Sequence, residues 1–266
     1  MDDDLVQELT ERYNRDARAY RDLWAPVLLP LAKRGLDQIG TQPVGRVLEI
    51  GTGVGTFLPA LHSVYSDAFV LGVDRSAGML ALATTGGPLA VMDAMQLALA
   101  SQSFDLAFMN FVLFHLMDPL AGLVEAKRVL KPSGRLVTVT WGSDLESSAT
   151  RVWDEALDFH GAPPLDAEKI ATRHDLVDSP EKMESLLKRA GFASARAWQE
   201  PCQHMIEADH LVRLRTTLGR TRPRYDGLDP QRRESCLRWA RERLSSLRPE
   251  DFLVKGMVIY AMGLRP

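Results

Sequence analysis

The sequence predicts an α/β protein, a mostly parallel sheet with helices on both faces. Three observations carry that expectation. Short runs of β-branched and aliphatic residues alternate along the chain with segments whose apolar residues recur at helical spacing. The first run, Arg46 to Ile50, turns through Gly51, Gly53 and Gly55 before Phe57, Leu58 and Leu61 resume a helical spacing. The second run ends on an acid, Asp74, about one β-α-β unit further on. A strand, a glycine turn and a helix together make a cofactor cradle. Glycines admit positive φ and let a ligand approach the main chain, and a helix start offers unpaired N–H groups.

Bulk properties narrow the class. At 266 residues the chain is one large domain, or a domain with insertions. A hydrophobic share of 45% and a charged share of 25% are those of a globular protein, and a net charge of −3 points to neither nucleic acid nor a membrane surface. The two cysteines, Cys202 and Cys236, have no metal-ligand spacing, so no metal site is expected. The acidic start, Met1 to Asp4, is wrong for a signal or transit peptide, and no apolar run reaches the roughly 20 residues of a membrane span. A cytoplasmic protein is the expectation, with a homodimer open as its assembly.

Taken in order, residues 5 to 39 read as helices interrupted by Pro26 and Pro30, with Tyr13 and Tyr20 on one face. Packing onto the core explains those tyrosines by pattern alone. The second strand is 68–73. Asp74 at its end suits a ribose, whose two hydroxyls can donate to one carboxylate, and equally suits a first-turn acid of the helix that Met79 and Leu80 begin. A turn at 84–88 precedes a third strand, 89–92, closed by Asp93 and Ala94. The fourth strand, 103–109, leads into Asn110, Phe111 and His115. Open α/β sheets bind ligands at strand carboxyl ends, so Asn110 and Phe111 face the reacting centre. A histidine on an apolar segment is usually a core residue, and His115, if catalytic, takes a proton from an acceptor.

Asp118 and Pro119 start a helix to 130, Lys131 to Arg135 forms a tight turn, and 136–141 is strand five. Residues 148–159 read as a helix and 160–178 as an inserted loop. A capped helix from Pro180 ends at Gly191, strand six is 192–199, and helices 207–218 and 230–247 precede strand seven in 252–254 and 257–263. The helices before strand seven are rich in arginine: Arg213, Arg215, Arg220, Arg222, Arg224, Arg232, Arg233, Arg238, Arg241 and Arg243. A solvated face explains them, and a lid meeting an anionic substrate is the sharper reading.

The glycine spacing separates two cofactor classes. A dinucleotide fold places its third glycine at 56, where this chain has Thr56; the form here is E-x-G-x-G-x-G from Glu49 to Gly55. In that motif, in Asp74 to Leu80, and in the L-K-P-x-G-x-L junction from Leu130 to Leu136, the sequence resembles the class I S-adenosylmethionine (SAM)-dependent methyltransferases, small-molecule branch, and is similar to ubiquinone- and menaquinone-pathway enzymes. The resemblance covers 45–142 strongly and 179–200 and 252–266 more loosely. It implies a Rossmann-like sheet of seven strands, with an antiparallel last strand inserted between five and six. It also implies an N-terminal helical cover at 1–40, a SAM-binding core at 41–142 completed by 179–200 and 252–266, an insertion at 143–178 and a helical lid at 201–251.

For the site, the resemblance implies SAM held by Glu49, Gly51, Gly53 and Gly55 at the methionine end, Asp74 and Arg75 at the ribose, Met79, Asp93 and Ala94 at the adenine, and Asn110 and Phe111 near the methyl group. A tyrosine of the N-terminal helix touches the cofactor in some relatives. Base-methylating enzymes carry N-P-P-Y where this chain has Asn110-Phe111-Val112-Leu113, which argues against nucleic-acid substrates. The expected reaction is methyl transfer to a small organic molecule at oxygen, with carbon or nitrogen of a quinone-like metabolite as the alternative. An NAD(P)-dependent oxidoreductase and a SAM-binding protein without turnover are the competing classes.

Overall fold

The computed structural model describes residues 2–39, 44–83, 87–143, 145–164, 174–219 and 221–266. Seven strands form one sheet: β1 (Arg46–Ile50), β2 (Phe69–Asp74), β3 (Leu89–Val91), β4 (Phe104–Asn110), β5 (Leu130–Trp141), β6 (Ala193–Met205) and β7 (Leu253–Leu264). Their order is β3-β2-β1-β4-β5-β7-β6. Pairings among β1 to β5 are parallel, and β7 runs antiparallel to both β5 and β6, between them. The expected topology is therefore the observed one. Sequential order reverses at β1 and β4, which opens a crevice at their carboxyl ends.

Both faces of the central strands are covered, which is why these strands are nearly continuous apolar runs. From β1, Leu48 and Ile50 point into a core with Ala107, Met109, Leu136 and Ile259, under α5 (Pro119–Val129) and α7 (Pro180–Arg189). Val47 points to the opposite core with Val70, Leu106 and Phe108, under α3 (Leu58–Val64) and the end of α2 (Ala25–Asp37). The remaining helices are α1 (Asp2–Ala19), α4 (Ala77–Leu80), α6 (Ser148–Phe159), α8 (Ala208–Thr217), α9 (Arg222–Asp226) and α10 (Pro230–Ser245). Among the described residues, no helix is long and apolar enough to cross a membrane.

Four boundaries differ from the sequence expectation. Pro26 and Pro30 do not interrupt the N-terminal helix; a π-turn, Tyr20–Trp24, joins α1 to α2, closed by the Ala25 N–H on the Tyr20 carbonyl. Pro26 sits in the first turn of α2, where its missing N–H costs little. Lys131 to Gly134 bulge out of β5 instead of preceding it: Leu130 pairs with Phe104, and Arg135 already pairs with Leu106. Ser133 takes φ +62°, and Lys131 Nζ reaches Asp105 at 2.7 Å across the bulge. β6 runs past residue 199 to Met205, and β7 is unbroken through Lys255 and Gly256, because the two strands pair along their length from Ala193–Leu264 to Met205–Leu253. Pro201 is tolerated since β6 is the sheet edge. Thr84 to Gly86 of the expected turn, most of the 160–178 loop, and Arg220 lie outside the described residues.

The segments on either side of α7 and β6 form one helical layer. Trp153, Ala156 and Leu157 of α6 pack with Cys236 and Ala240 of α10, and Leu211, Val212 and Leu214 of α8 pack with Leu23 of the π-turn. α6 begins at Ser147, whose side chain and that of Thr150 cap each other's backbone N–H groups.

Candidate active site

The glycine loop after β1 is fastened to the end of β2. Gly51 and Thr52 both donate N–H to the Val73 carbonyl, at 2.8 and 2.9 Å, and Gly53 N–H donates to Asp74 Oδ2 at 2.8 Å. Gly51 and Gly53 sit at φ +74° and +56°, a region that costs a side chain about 1 kcal/mol or more. A Cβ on Gly51 would lie 2.5 Å from Val112 Cγ2, and one on Gly53 would lie 3.2 Å from Met79 Cε. Gly55 (φ +70°) shapes the turn through its N–H on Thr52 and its carbonyl under Leu58 N–H, and does not line the cleft. The first N–H groups of α3 are likewise spent locally, on the Gly55 and Phe57 carbonyls.

Asp74 is no helix cap. Its Oδ1 accepts the Ser76 N–H at 2.8 Å, and Ser76 caps α4 by accepting from Met79 N–H at 3.1 Å. Burial raises the Asp74 pKa, opposed by the amides of Ser76 and Gly53. Beside it, Arg75 forms an ion pair with Asp93 Oδ2, while Asp93 Oδ1 accepts from Met95 N–H at 2.8 Å. Met79 and Ala94 are buried against the same space.

Glu49 is 2% exposed; burial pushes its carboxyl up to about 7, opposed by the Thr52 hydroxyl, which donates at 2.5 Å. Next to it, Asn110 ends β4 with both side-chain amide atoms buried and without a well-formed hydrogen bond. Phe111 then adopts φ +55°, held by its N–H on the Val139 carbonyl at 2.7 Å. A non-glycine residue in this region stores strain, of the kind that clusters at functional sites. Its ring lies 4.6 Å from Trp141, which lies 6.0 Å from Trp24, so an aromatic wall leads away from the end of β4.

His115 closes a 3-10 turn, Leu113–His115, and its Nε2 lies 2.8 Å from the hydroxyl of Tyr13 on α1. Burial pushes the Tyr13 phenol up to about 12, with Arg12 opposing, so the phenol stays protonated at ordinary pH. One continuous cleft results. Gly51, Gly53, Asp74, Arg75, Met79, Asp93, Ala94, Asn110, Phe111 and His115 line it together, under Leu9, Thr10, Tyr13 and Tyr20. A smaller recess sharing Tyr20, Gly51, Asn110 and Phe111 holds Glu49.

α1 lies over this cleft, and the segment expected as a lid, 201–251, does not border it in its described residues. The helices of that segment pack behind the π-turn, where His210 Nε2 contacts the Leu23 carbonyl. Its arginines are largely spent within the protein, Arg222 on Asp16 at 2.7 Å, Arg224 on Asp158 at 2.5 Å and Arg232 on Asp229 at 3.4 Å. Sequence reasoning missed Asn14, Val112 and Leu116. Only Val112 had a signal, since a glycine forced at 51 implies a close neighbour.

Comparison with known proteins identifies the fold and the family. A family model described as "Methyltransferase domain" matches residues 48–138. A demethylmenaquinone methyltransferase of Mycobacterium sp. (strain KMS) is 30% identical over 167 residues, covering 61% of this chain and 71% of that protein. A malonyl-[acyl-carrier protein] O-methyltransferase of Methylococcus capsulatus is 33% identical over 126 residues, 45% of each chain. Among solved structures, a SAM-dependent methyltransferase of Thermotoga maritima, described as a possible histamine N-methyltransferase, superposes with a TM-score of 0.55 at 19% identity, covering 96% of this chain and 99% of that one. Phosphoethanolamine N-methyltransferase 2 of Haemonchus contortus, solved with S-adenosyl-L-methionine, gives 0.53 at 19% identity; this chain spans about half of it, 52%. At such identities the structures speak for the fold.

Proposed function

Because this chain belongs to the class I SAM-dependent methyltransferases, we propose that it methylates a hydroxyl oxygen of a small organic acceptor, with His115 as the final holder of the acceptor's proton. The family supplies the cofactor, and the cleft fits it. The Asn110 amide, buried beside Glu49 and without a well-formed hydrogen bond, is suited to the charged amino-acid end of the cofactor. Gly53 leaves a space that a Cβ would fill. We assign Asp74, with Arg75 beside it, to the ribose, Met79 and Ala94 to the faces of the adenine, and Asp93 to its amino group. Bound SAM supplies a methyl carbon already activated by its sulfonium.

What the protein adds is alignment, exclusion of water and a place for the proton. α1 and Tyr20 shield the cleft from solvent. Phe111, held at its strained φ, presents a flat apolar surface beside the end of β4. The observation that carries the reading is His115, whose ring is fixed at the cleft wall by a half-buried phenol. An enzyme that only had to place an already anionic nucleophile would not require a base there.

A second reading is methylation at a ring carbon of a quinone-like acceptor. The names of the mycobacterial relatives favour it, and so does the aromatic wall of Phe111, Trp141 and Trp24. Loss of a ring hydroxyl proton makes both that oxygen and adjacent ring carbons nucleophilic, so His115 serves either outcome. We place the enzyme in the cytoplasm, acting on free metabolites rather than nucleic acid, with Cys202 and Cys236 reduced and buried.

The test begins with calorimetry against SAM, S-adenosylhomocysteine and NAD(P)H, followed by transfer of a labelled methyl group to a panel of phenols, hydroquinones, hydroxy acids and amines. Oxygen-linked label on hydroxylated acceptors supports the first reading, and carbon-linked label the second. Turnover confined to amines would refute both.

A further inference from the structure

We propose that Tyr13 is a proton relay between the acceptor and His115, so that seating helix α1 over the cleft also completes the catalytic apparatus. The inference rests on the reading of His115 as the final proton holder. Its basis is position: the Tyr13 hydroxyl stands on the Nε2 edge of His115, at 2.8 Å, and Tyr13 lines the cleft itself. An acceptor approaching that edge therefore meets the phenol oxygen before the imidazole.

The relay is a built feature of α1. Tyr13 stands edge-on to both Tyr20 (5.9 Å) and His115 (5.4 Å), which holds its ring between them. The next residue, Asn14, locks the helix: its Oδ1 accepts from Ser76 Oγ at 2.7 Å and from Gly78 N–H at 2.8 Å. Gly78 permits this approach, since a Cβ there would lie 2.8 Å from the Asn14 backbone. Two residues further, Asp16 pairs with Arg222 at 2.7 Å. The charged groups around the phenol are Arg12 on its own helix and Asp74 across the cleft. His115 is set by its N–H on the Val112 carbonyl at 2.9 Å and by the Phe114 ring at 4.3 Å.

The step balances without any further reactant. The acceptor O–H bond breaks and its proton passes to the Tyr13 oxygen as the Tyr13 proton passes to His115 Nε2. The acceptor lone pair forms the bond to the methyl carbon as the carbon–sulfur bond breaks, its pair going to sulfur. The products are a methyl ether, the thioether form of the cofactor and an imidazolium that later releases its proton to water. A neutral phenol suits this role, because it donates and accepts without becoming an anion. The relay requires the neutral tautomer with hydrogen on Nδ1.

The experiment compares Tyr13→Phe, His115→Asn and the double variant, using an acceptor from the methyl-transfer panel and S-adenosylhomocysteine as the binding probe. Expected are a loss of about 10²-fold or more in kcat for each single variant, no further loss in the double, and affinity for S-adenosylhomocysteine within about twofold of wild type. Long-range ¹H–¹⁵N spectra of His115, which need no acceptor, are expected to show the Nδ1–H tautomer and a Nε2 resonance that moves in Tyr13→Phe. An inactive His115→Asn beside a nearly active Tyr13→Phe overturns the relay and leaves the base reading standing. A fully active His115→Asn overturns both, and a His115 spectrum indifferent to Tyr13→Phe overturns the relay on its own.

Discussion

Replacing Gly51 by alanine isolates the physical demand at the heart of the cradle. Two costs are expected. The residue holds φ +74°, where a Cβ adds about 1–2 kcal/mol of backbone strain. The new methyl also falls 2.5 Å from Val112 Cγ2 and 2.8 Å from its Cβ, well inside van der Waals contact, and such overpacking costs about 1–3 kcal/mol. Gly51→Ala should therefore destabilise the fold by about 2–5 kcal/mol in urea titration, with an unchanged m-value. It should also weaken SAM binding, because the collision with Val112 pushes away the loop that the Gly51 N–H ties to Val73. The double variant Gly51→Ala, Val112→Ala separates the costs: relief of the clash should recover the packing part and leave the backbone part. A Gly51→Ala protein within about 0.5 kcal/mol of wild type would refute the reasoning, as would a double variant with no recovery.

Three further outcomes are expected. Asp74→Ala removes the acceptor for the Gly53 and Ser76 amides and the proposed ribose contact, and should weaken S-adenosylhomocysteine binding about 10- to 100-fold by calorimetry; an unchanged affinity would remove Asp74 from the site. Glu49 has its folded-state pKa raised from 4.5 to about 7, so its neutral form suits the native state, and its contribution to stability is full below about pH 4.5 and lost as pH rises through 7. Glu49→Gln should thus gain stability relative to wild type between pH 5 and pH 8, by up to about 3 kcal/mol, and a pH-independent difference in urea titrations would contradict that sign. Gly78→Ala should drive α1 off α4 by collision with Asn14, seen as faster amide exchange across residues 5–19 and no change in α5; unaltered protection of α1 would show that the cover is held elsewhere.

Much of this protein is legible in order along the chain. The glycine spacing that separates Gly55 from Thr56, the acid at Asp74 and the L-K-P-x-G-x-L junction are local features, because a turn, a strand end and a bulge each depend on a few adjacent residues. They suffice for the sheet, its strand count and the cofactor class. Boundaries failed where partners lie far away in sequence. Lys255 and Gly256 look like a break, yet they pair with Gln203 and Cys202 along the β6–β7 ladder, and the ladder prevails over local propensity. The arginines of 201–251 read from sequence as a solvated face or a lid for an anion, and the carboxylate partners that two of them find, Asp16 and Asp158, could be found only after folding.

The sequence by itself determined the scaffold and the family, since hydrophobic periodicity and glycine placement act over one or two elements. The tertiary structure alone decided what His115 touches and which carboxylates the arginines of 201–251 meet. Tyr13 and His115 are separated by 102 positions, and nothing local to either marks the other. Their contact exists because Asn14 seats α1 on the turn that follows β2, and because the order of β1, β2 and β4 brings that turn beside the end of β4.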